Sequence, residues 1–406
     1  MIQALKKRNE LLEQRFADLE ARVVQGAGGP ELSRDQVRAL VEKMMEESRD
    51  AMRPGWMENL TFSGDLRLRY QWRHRSAEQR DDDSRFRYRL RFGIVKTWPE
   101  DDLELGFRIV TGADDDPTST NQTFEDMFEE HEIGIDRAYV KWTPRAAKGL
   151  TVIGGKMAQP WQTTDLVWDH DVNPGGVWVQ YETPRIGPVT PWVAAGWFQL
   201  AYSDVNVPDT NLTAYEMGAH VQCPRGVEWT GSVALYDYAN INQAFATVPW
   251  FAANPSGNTV VGGRLNAGDF DLVAVTNAVA FEALRLPWKA YVEWVHNWAN
   301  QDPADRSNGF AAGIKVGANK KKGDWSFKYA YKYIEADATL AVFADSDFGG
   351  GSQTNRKGNT WKLTYNLGDN VTAGLTLYAT EPIDTDMLAE FNKTRFDLRG
   401  DLVWDF

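Results

Sequence analysis

The sequence has a single cysteine, Cys223, and only five histidines in 406 residues. One cysteine cannot build a disulfide framework within the chain or a cysteine-ligated metal site. The histidines lie in no recognisable catalytic or zinc-binding motif, so the sequence predicts neither an enzyme nor a zinc site. No stretch approaches the roughly 18 uninterrupted apolar residues of a membrane helix. A disulfide-stapled scaffold and a helical membrane protein are therefore excluded.

Positive charge is also scarce, since 44 lysines and arginines face 57 aspartates and glutamates and leave a net charge of −13 at pH 7. That balance argues against a nucleic-acid partner, whose phosphates require a basic surface. The acidic runs 81–83 and 114–116, together with Asp165, Asp169 and Asp171, offer oxygen atoms of the kind that bind Ca²⁺. They do not follow the pattern of an EF-hand loop. We therefore predict solvated loop charge and no cofactor, with Ca²⁺ at these loops as the alternative.

Residues 2–23 carry an apolar heptad repeat, which is typical of a coiled coil. The a positions hold Ile2, Asn9, Phe16 and Val23, and the d positions hold Leu5, Leu12 and Leu19. An asparagine at an a position selects register and strand number at some cost in stability. So short a repeat is not stable alone, and other contacts must help to hold the chains together. A plain amphipathic helix packed on a domain is the alternative.

The pattern divides the chain into three parts: a coiled-coil segment at 1–25, a linker with a second helix at 26–56, and a strand-rich remainder at 57–406. The glycine-rich segment 26–30 ends the first helix, and Ser33 caps the second. Met1 leads straight into a charged helix, so no signal peptide is recognisable. We expect any export signal to have been cleaved or to lie outside this sequence.

After residue 56 the heptad gives way to strict alternation of apolar and polar residues. In 85–98, for example, Phe86, Tyr88 and Leu90 alternate with Arg87 and Arg89. Alternation over about 10 residues, repeated to the end of the chain, fits the tilted strands of a membrane barrel. The 17 Trp, 14 Tyr and 19 Phe suit the aromatic girdles of such a barrel. The sequence therefore predicts a transmembrane antiparallel β-barrel preceded by an α-helical coiled coil.

The predicted strands number about 16, an even number as a closed bacterial barrel needs. They lie at 60–73, 85–98, 102–111, 133–143, 149–157, 176–183, 189–203, 212–223, 226–238, 269–280, 285–299, 308–319, 324–336, 357–367, 370–381 and 392–406. We treat the ambiguous region 239–268 as a long loop. A count of 18 strands is the alternative.

The connections between these strands alternate in length. Those at 99–101, 184–188, 223–226, 319–323 and 368–370 are short, and those at 74–84, 112–132, 157–175, 239–268, 299–307, 337–356 and 381–391 are long. Short periplasmic turns and long external loops are the usual asymmetry of outer-membrane barrels. Counting back from the C-terminus places both chain ends on the short-turn side. We therefore expect the coiled coil to lie in the periplasm.

Several segments resemble the family of bacterial putative porins, which are trimeric outer-membrane barrels similar to the phosphate-selective porins. The match lies in 136–142 (DRAYVKW), 154–160 (GGKMAQP) and 164–169 (TDLVWD). The chain also ends on the alternating residues Leu402, Trp404 and Phe406, which look like the signal read by the barrel-assembly machinery. The resemblance implies an outer-membrane homotrimer in contact with lipid that passes small hydrophilic or anionic solutes. Some relatives carry a domain that binds the cell wall and precedes the coiled coil in sequence. Whether this chain contacts peptidoglycan is therefore left open.

Seven arginines alternate along the first two predicted strands, and we call this set the arginine ladder. Its members are Arg67, Arg69, Arg73, Arg85, Arg87, Arg89 and Arg91. On the lipid-facing side each would cost about 2–4 kcal/mol near the middle of the bilayer. We therefore predict that the ladder lines the lumen, where fixed positive charge favours anions. Residues predicted to extend it are Arg108, Arg137, Lys141, Lys156, Arg395 and Arg399.

The alternative is that these arginines face acidic groups on a constriction loop folded into the lumen. The candidates in 112–132 are Asp114, Asp115, Asp116, Glu125, Asp126, Glu129, Glu130 and Glu132. A basic wall facing an acidic loop would create a transverse field, and the channel would then be a general diffusion pore with no anion preference. A structural tether between the outer membrane and the cell wall is a third hypothesis.

Overall fold

The structure is a computed structural model that describes residues 55–75, 82–112, 116–128, 130–203, 208–349, 353–385 and 394–406. Residues 1–54, which include the heptad positions from Ile2 to Val23 and the predicted second helix, lie outside the described residues, so the coiled coil stays a prediction. Within the described part, Gly55–Met57 form a short 3-10 helix. Residues Thr61–Phe406 form one compact unit.

That unit is built from 16 long strands. The first eight are β1 (Leu60–Arg75), β2 (Asp82–Trp98), β3 (Leu103–Thr111), β4 (Ile133–Trp142), β5 (Leu150–Lys156), β6 (Gly175–Glu182), β7 (Val189–Ala201) and β8 (Thr210–Gln222). The other eight are β9 (Glu228–Ala239), β10 (Phe270–Ala283), β11 (Leu286–Asn297), β12 (Asn308–Gly317), β13 (Trp325–Ile334), β14 (Arg356–Gly368), β15 (Val371–Pro382) and β16 (Arg395–Asp405).

Each strand pairs with its sequence neighbours, and β1 pairs with both β2 and β16. In the closing pair, Asp65 lies opposite Asp405 and Arg75 lies opposite Arg395. The sheet is therefore a closed antiparallel barrel, which leaves no long strand with an unpaired edge. The predicted count of 16 is confirmed, and the alternative of 18 is wrong.

The region that the sequence left ambiguous is a long loop, as predicted. It holds two short helices, α1 (Ile241–Thr247) and α2 (Pro249–Ala253), and a small ribbon in which Val260–Val261 pair with Arg264–Leu265. The ribbon forms a sheet of its own and adds no strand to the barrel. Another long connection, 335–355, contains a 3-10 helix (Ala341–Phe343) and α3 (Ser346–Gly349). The described residues include no helix long and apolar enough to cross a membrane.

The connections alternate in length around the barrel, as the sequence predicted. Two-residue turns at 284–285 and 369–370 lie at one end, and the loops at 240–269 and 335–355 lie at the other. Leu284 and Arg285 have φ angles of 55° and 63°. Two successive residues with positive φ match the twist of a two-residue hairpin. We call the two ends of the barrel the short-turn end and the long-loop end.

The two faces of the barrel wall differ in exposure. On β1 the apolar Leu68 and Tyr70 are 42% and 44% exposed, whereas the intervening Arg69 is 6% exposed and Gln71 is 1% exposed. Successive side chains of a strand point to opposite faces of the sheet. The arginine-bearing face of β1 and β2 is therefore the inner one, and Phe86, at 62% exposed, belongs to the outer one.

A bulge in β4 places two consecutive polar residues on the inner face. Arg108 lies opposite Arg137, but the next residue, Ile109, lies opposite Ile135, so Asp136 has no partner in the register. The extra residue of a bulge re-aims the side chains around it. As a result Asp136 is buried and forms an ion pair with Arg108.

Part of the barrel interior is apolar and closely packed. Trp161 and Trp168 lie in the loop between β5 and β6, and their ring centroids are both 5.5 Å from that of Tyr236 on β9. Phe198 on β7 and Phe270 on β10 are completely buried in the same cluster. Close packing of this kind holds the loop in one position.

Candidate functional site

The loop between β5 and β6, residues 157–174, is fastened to the inner faces of distant strands. The backbone N–H of Gln162 donates to Glu216 Oε1 on β8 at 3.0 Å. The backbone N–H of Thr164 donates to Glu293 Oε2 on β11 at 2.9 Å. Glu293 is 2% exposed and also accepts hydrogen bonds from the hydroxyls of Thr163 and Thr164. The two glutamates on the barrel strands thus accept hydrogen bonds from backbone N–H groups of the loop.

The same loop reaches the opposite wall as well. Lys328 Nζ on β13 lies 3.0 Å from Asp165 Oδ2. Near the loop end, Asn173 Nδ2 donates to Asp136 Oδ1 on β4 at 2.6 Å, and Asp171 Oδ1 lies 3.8 Å from Arg91 Nη1 on β2. Residues 157–174 therefore cross the interior of the barrel, and we call them the crossing loop.

Carboxylates on neighbouring strands neutralise part of the arginine ladder. Arg89 and Arg91 both bind Asp65, with N–O distances of 2.5 and 2.6 Å. Arg69 Nε lies 2.7 Å from Asp401 Oδ1 on the closing strand. Arg73 forms an ion pair with Asp83. These groups are buried or half-buried, and the two one-to-one pairs carry no net charge, whereas Arg89 and Arg91 share one carboxylate.

The closing strand β16 carries two further arginines, Arg395 and Arg399, beside β1. Arg395 and Arg399 bind Asp397 at 3.3 and 2.8 Å. Arg399 also lies 2.5 Å from Asp347 in α3, and Asp347 lies 3.8 Å from Arg69. The loop that carries α3 thus reaches the same wall as the ladder.

Four arginines of this wall have no carboxylate partner among the residues that the structure describes. Arg67 donates to the Asn121 side chain, and Arg85 donates to Gln71 Oε1 at 2.9 Å. Arg87 donates to the Asn121 carbonyl oxygen at 3.0 Å and to Ser119 Oγ at 3.3 Å. Arg137 donates to Asn173 Oδ1 at 2.7 Å. Neutral acceptors orient these guanidiniums without cancelling their charge.

A row of lysines on the inner face escaped the sequence analysis. Lys289 on β11 lies opposite Lys315 on β12, Lys315 lies opposite Lys328 on β13, and Lys328 lies opposite Lys362 on β14. Beyond Thr376, the same line continues to Arg399 on β16. Each strand contributes one lysine to the line, so no single segment of sequence reveals the row. We call these four residues the lysine row.

A model of the family described as Putative porin matches residues 74–261 and 266–400. The chain belongs to that family. The resemblance inferred from the three short motifs is therefore confirmed. Together with the closed barrel, membership identifies the chain as a porin-like outer-membrane channel.

Solved porins share the fold of this porin. OprB of Pseudomonas putida matches with a TM-score of 0.56 and 11% identity, over 86% of this chain and 94% of that one. OmpF of Salmonella typhi, solved in complex with daunomycin, matches with a TM-score of 0.51 and 11% identity, over 86% of this chain and 97% of that one. At such identities the likeness concerns the fold alone. No curated protein matches the sequence.

In this porin the segment that crosses the lumen is 157–174, whereas the sequence analysis placed the constriction loop at 112–132. Within the described residues of that segment, Glu125, Glu130 and Glu132 are exposed and Asp116 binds Thr118. Asp114, Asp115, Glu129 and the side chain of Asp126 lie outside the described residues. Burial of its apolar residues draws 157–174 into the interior, whereas Glu125, Glu130 and Glu132 remain in solvent.

The two predicted lysine extensions of the ladder have different positions. Lys141 follows Arg137 at a spacing of four residues on β4 and shares its inner face. Lys156, the last residue of β5, is exposed and lies opposite Ala138 and Gly175. It therefore does not continue the line of Arg108 and Arg137, because its partner on β4 is Ala138 and not Arg137.

The carboxylates of the crossing loop differ in their proton affinity. Burial, together with the nearby Asp345 and Asp171, raises the pKa of Asp169 well above its usual range. Burial alone would also raise the pKa of Asp165, but Lys328 and Lys332 hold that pKa well below its usual range. In the same way His170 and Arg89 outweigh burial and lower the pKa of Asp171. Asp169 is thus the carboxylate of this loop that takes up a proton first as the pH falls.

Acidification is therefore expected to increase preference for anions by neutralising Asp169. A raised pKa means that the carboxylate is charged above it and neutral below it, so the negative charge is lost as the pH falls through that value. The zero-current potential of the wild-type channel in a KCl gradient should shift further toward the chloride potential as the pH is lowered. Asp169→Asn should remove this part of the shift. Identical pH curves for the two channels would contradict the assignment.

Both aspartates that flank His170 already have partners within the protein. Asp169 Oδ2 accepts from Ser346 N at 2.9 Å, and Asp171 Oδ2 accepts from Thr120 Oγ1 at 3.1 Å. Arg91 lies close to the other oxygen of Asp171, and a guanidinium opposes a divalent cation at the same place. The expectation that this porin needs no metal or other cofactor stays a prediction.

Proposed function

We propose that this porin is an anion-preferring channel for passive diffusion of small hydrophilic solutes. The observation that carries the proposal is the group of four inner-face arginines, Arg67, Arg85, Arg87 and Arg137, whose described partners are all neutral. Fixed positive charge on a pore wall lowers the energy of an anion and raises that of a cation. Guanidinium stays charged at any practical pH, so the preference persists from acid to neutral conditions.

The buried donors of two of these arginines support the proposal further. The Nε–H groups of Arg67 and Arg87 are buried and form no hydrogen bond with any described residue. A buried donor without an acceptor is costly, and an anion relieves that cost. Arg67 and Arg87 therefore favour an anion both by charge and by hydrogen bonding.

A general diffusion pore with a transverse field is the second candidate. The observation in its favour is that Asp171 of the crossing loop and Asp347 of α3 face the arginine wall. In that arrangement the positive and negative walls orient polar solutes and cancel much of the net selectivity. Anion preference is the stronger candidate because these two carboxylates lie beside Arg91 and Arg399 and leave the four arginines above without a carboxylate.

Ion substitution tests the proposed channel activity. The purified protein is inserted into a planar bilayer, and the conductance step in KCl is compared with those in Tris chloride and in potassium gluconate. We expect the bulky anion to lower the conductance about 5-fold or more and the bulky cation to lower it less than about 2-fold. The reverse order would contradict anion preference. Absence of conductance steps would contradict the channel itself.

We also propose that the channel is a homotrimer joined through the heptad residues 2–23, with the coiled coil in the periplasm. Deleting residues 1–31 is expected to weaken the trimer but leave the barrel folded, because the hydrogen bonds of a closed barrel form within one chain. Light scattering in detergent should give three chains for the full protein and a lower mass for the deletion at the same concentration. A full-length protein with the mass of one or two chains would contradict the trimer.

The last strand has the features proposed for recognition by the barrel-assembly machinery. Leu402 and Trp404 lie opposite Leu68 and Leu66 on β1, and Phe406 is 57% exposed. The backbone of Phe406 exchanges two hydrogen bonds with that of Gly64, at 2.8 and 3.0 Å. In the proposed role the exposed face of this strand is recognised before it closes the barrel and then contacts lipid.

A further inference from the structure

A chamber of about 510 Å³ lies on the short-turn side of the crossing loop. Its walls combine hydroxyl groups, among them Thr164, Thr230 and Tyr291, with the amines of Lys289, Lys315 and Lys328. A chamber of this volume is large enough for a small organic solute. Its polar lining distinguishes it from the aromatic cluster in the interior of the same barrel.

The three lysines of the chamber form a line across adjacent strands. Lys289 and Lys315 are register partners, and so are Lys315 and Lys328. Directly opposed residues of an antiparallel pair have Cα atoms about 4.5–5.5 Å apart. The ammonium groups can therefore contact two anionic groups carried by one short molecule. A molecule with a single anionic group can contact only part of this line of lysines.

Two of these amines are available to a solute. Lys289 and Lys315 are exposed to the interior and make no ion pair or hydrogen bond with any residue that the structure describes. Lys328 is bound to Asp165 at 3.0 Å. The remaining carboxylate of the lining, Glu228, is exposed and forms no ion pair within the described part of the chain. Lys362, the next member of the row, adds a further exposed cation beside Lys328.

We propose that the lysine row is a binding site for small dicarboxylates on their way through the channel. The inference rests on the proposed anion preference and names the class of anion that this site selects. One carboxylate pairs with Lys289 or Lys315, and the other pairs with the next amine along the row. The hydroxyl of Tyr291, which lines the same chamber, donates to a remaining carboxylate oxygen. Charge-assisted hydrogen bonds of this type are stronger than those between neutral groups.

Current block by two anions of equal chain length tests the site. Succinate and butyrate each have four carbons, but only succinate has a second carboxylate. Each is titrated into single wild-type channels that carry chloride current at neutral pH. Succinate is expected to halve the current at a concentration about 10-fold lower than butyrate. Equal half-blocking concentrations would overturn the proposal.

The variant Lys315→Gln removes the middle amine of the row. We expect it to raise the half-blocking concentration of succinate about 10-fold and that of butyrate less than about 3-fold. Lys357→Gln is the matched control, because Lys357 lies on the opposite face of β14 and binds Glu381 at 3.3 Å. A conductance step of ordinary size shows that each variant is folded. If Lys315→Gln leaves the block by succinate unchanged, the site is refuted.

The two proposals can fail separately in these experiments. A channel that prefers chloride over potassium but binds succinate no better than butyrate retains the proposed function and loses the dicarboxylate site. A channel that prefers potassium loses the proposed function, whereas the ratio of the two half-blocking concentrations still reports on the lysine row.

Discussion

Replacing Arg85 and Arg87 together by alanine is expected to lower the chloride-to-potassium permeability ratio about 10-fold. Both side chains have only neutral acceptors within the described chain, so both charges act on a permeating ion. A partly screened charge in a narrow pore contributes about 1 kcal/mol, and two such contributions exceed the roughly 1.4 kcal/mol of a tenfold effect. The measurement is the zero-current potential of single channels in a KCl gradient.

The matched control is the double variant Arg73→Ala with Asp83→Ala. Arg73 forms an ion pair with Asp83, so removing both leaves the net charge of the wall unchanged. We expect a change in permeability ratio of less than about 2-fold. If the control shifts selectivity as strongly as the first variant, the ladder acts through its shape rather than through its unpaired charge.

Glu293→Ala is expected to release the crossing loop and raise the open-channel conductance roughly 1.5- to 2-fold, with frequent short closures. Glu293 is the buried acceptor for the backbone and hydroxyl of Thr164 and for the hydroxyl of Thr163. Each buried donor left without an acceptor costs about 1–3 kcal/mol. These donors regain acceptors only if the loop moves into contact with water. Single-channel recording at fixed voltage measures both the size of the step and its noise.

Glu282→Ala provides the comparison for this variant. Glu282 is an exposed carboxylate near the end of β10, on the strand that pairs with the strand of Glu293. Its removal should leave the conductance and its noise within the range of the wild type. If the Glu293→Ala channel has the conductance and the current noise of the wild type, the aromatic contacts of Trp161 and Trp168 alone hold the crossing loop.

The barrel could be predicted because alternation is a local property. A strand with one face toward lipid must repeat its apolar residues at every second position. Segments such as 60–73 and 85–98 carry that pattern without ambiguity. All 16 predicted strands correspond to strands of the structure. The arginines could be placed on the inner face for the same reason, because they share one parity on two adjacent strands.

The crossing loop could not be identified from sequence because its position depends on distant residues. Its anchors Glu216, Glu293 and Lys328 lie on β8, β11 and β13. The sequence analysis placed the constriction loop at 112–132 because that segment is acidic. The loop that enters the barrel is 157–174, because its apolar residues gain from burial. The bulge at Asp136 was equally invisible, since it depends on the register between β3 and β4.

The apolar interior of the barrel is visible in the sequence as a departure from strict alternation of apolar and polar residues. In β10, residues 270–281 (FDLVAVTNAVAF) are apolar at most positions of both parities. Phe270 and Leu272 are completely buried inside the barrel. A strand with two apolar faces must meet lipid on one side and a packed loop on the other. The lysine row left no such signal, because its members come together only through strand pairing.

The most direct test of the central claim is the zero-current potential of the wild-type channel in a tenfold KCl gradient at neutral pH. Inner-face arginines without carboxylate partners should bring the potential close to the equilibrium potential of chloride. A potential on the potassium side would contradict the account, because it would show that the carboxylates of the crossing loop and α3 govern the pore.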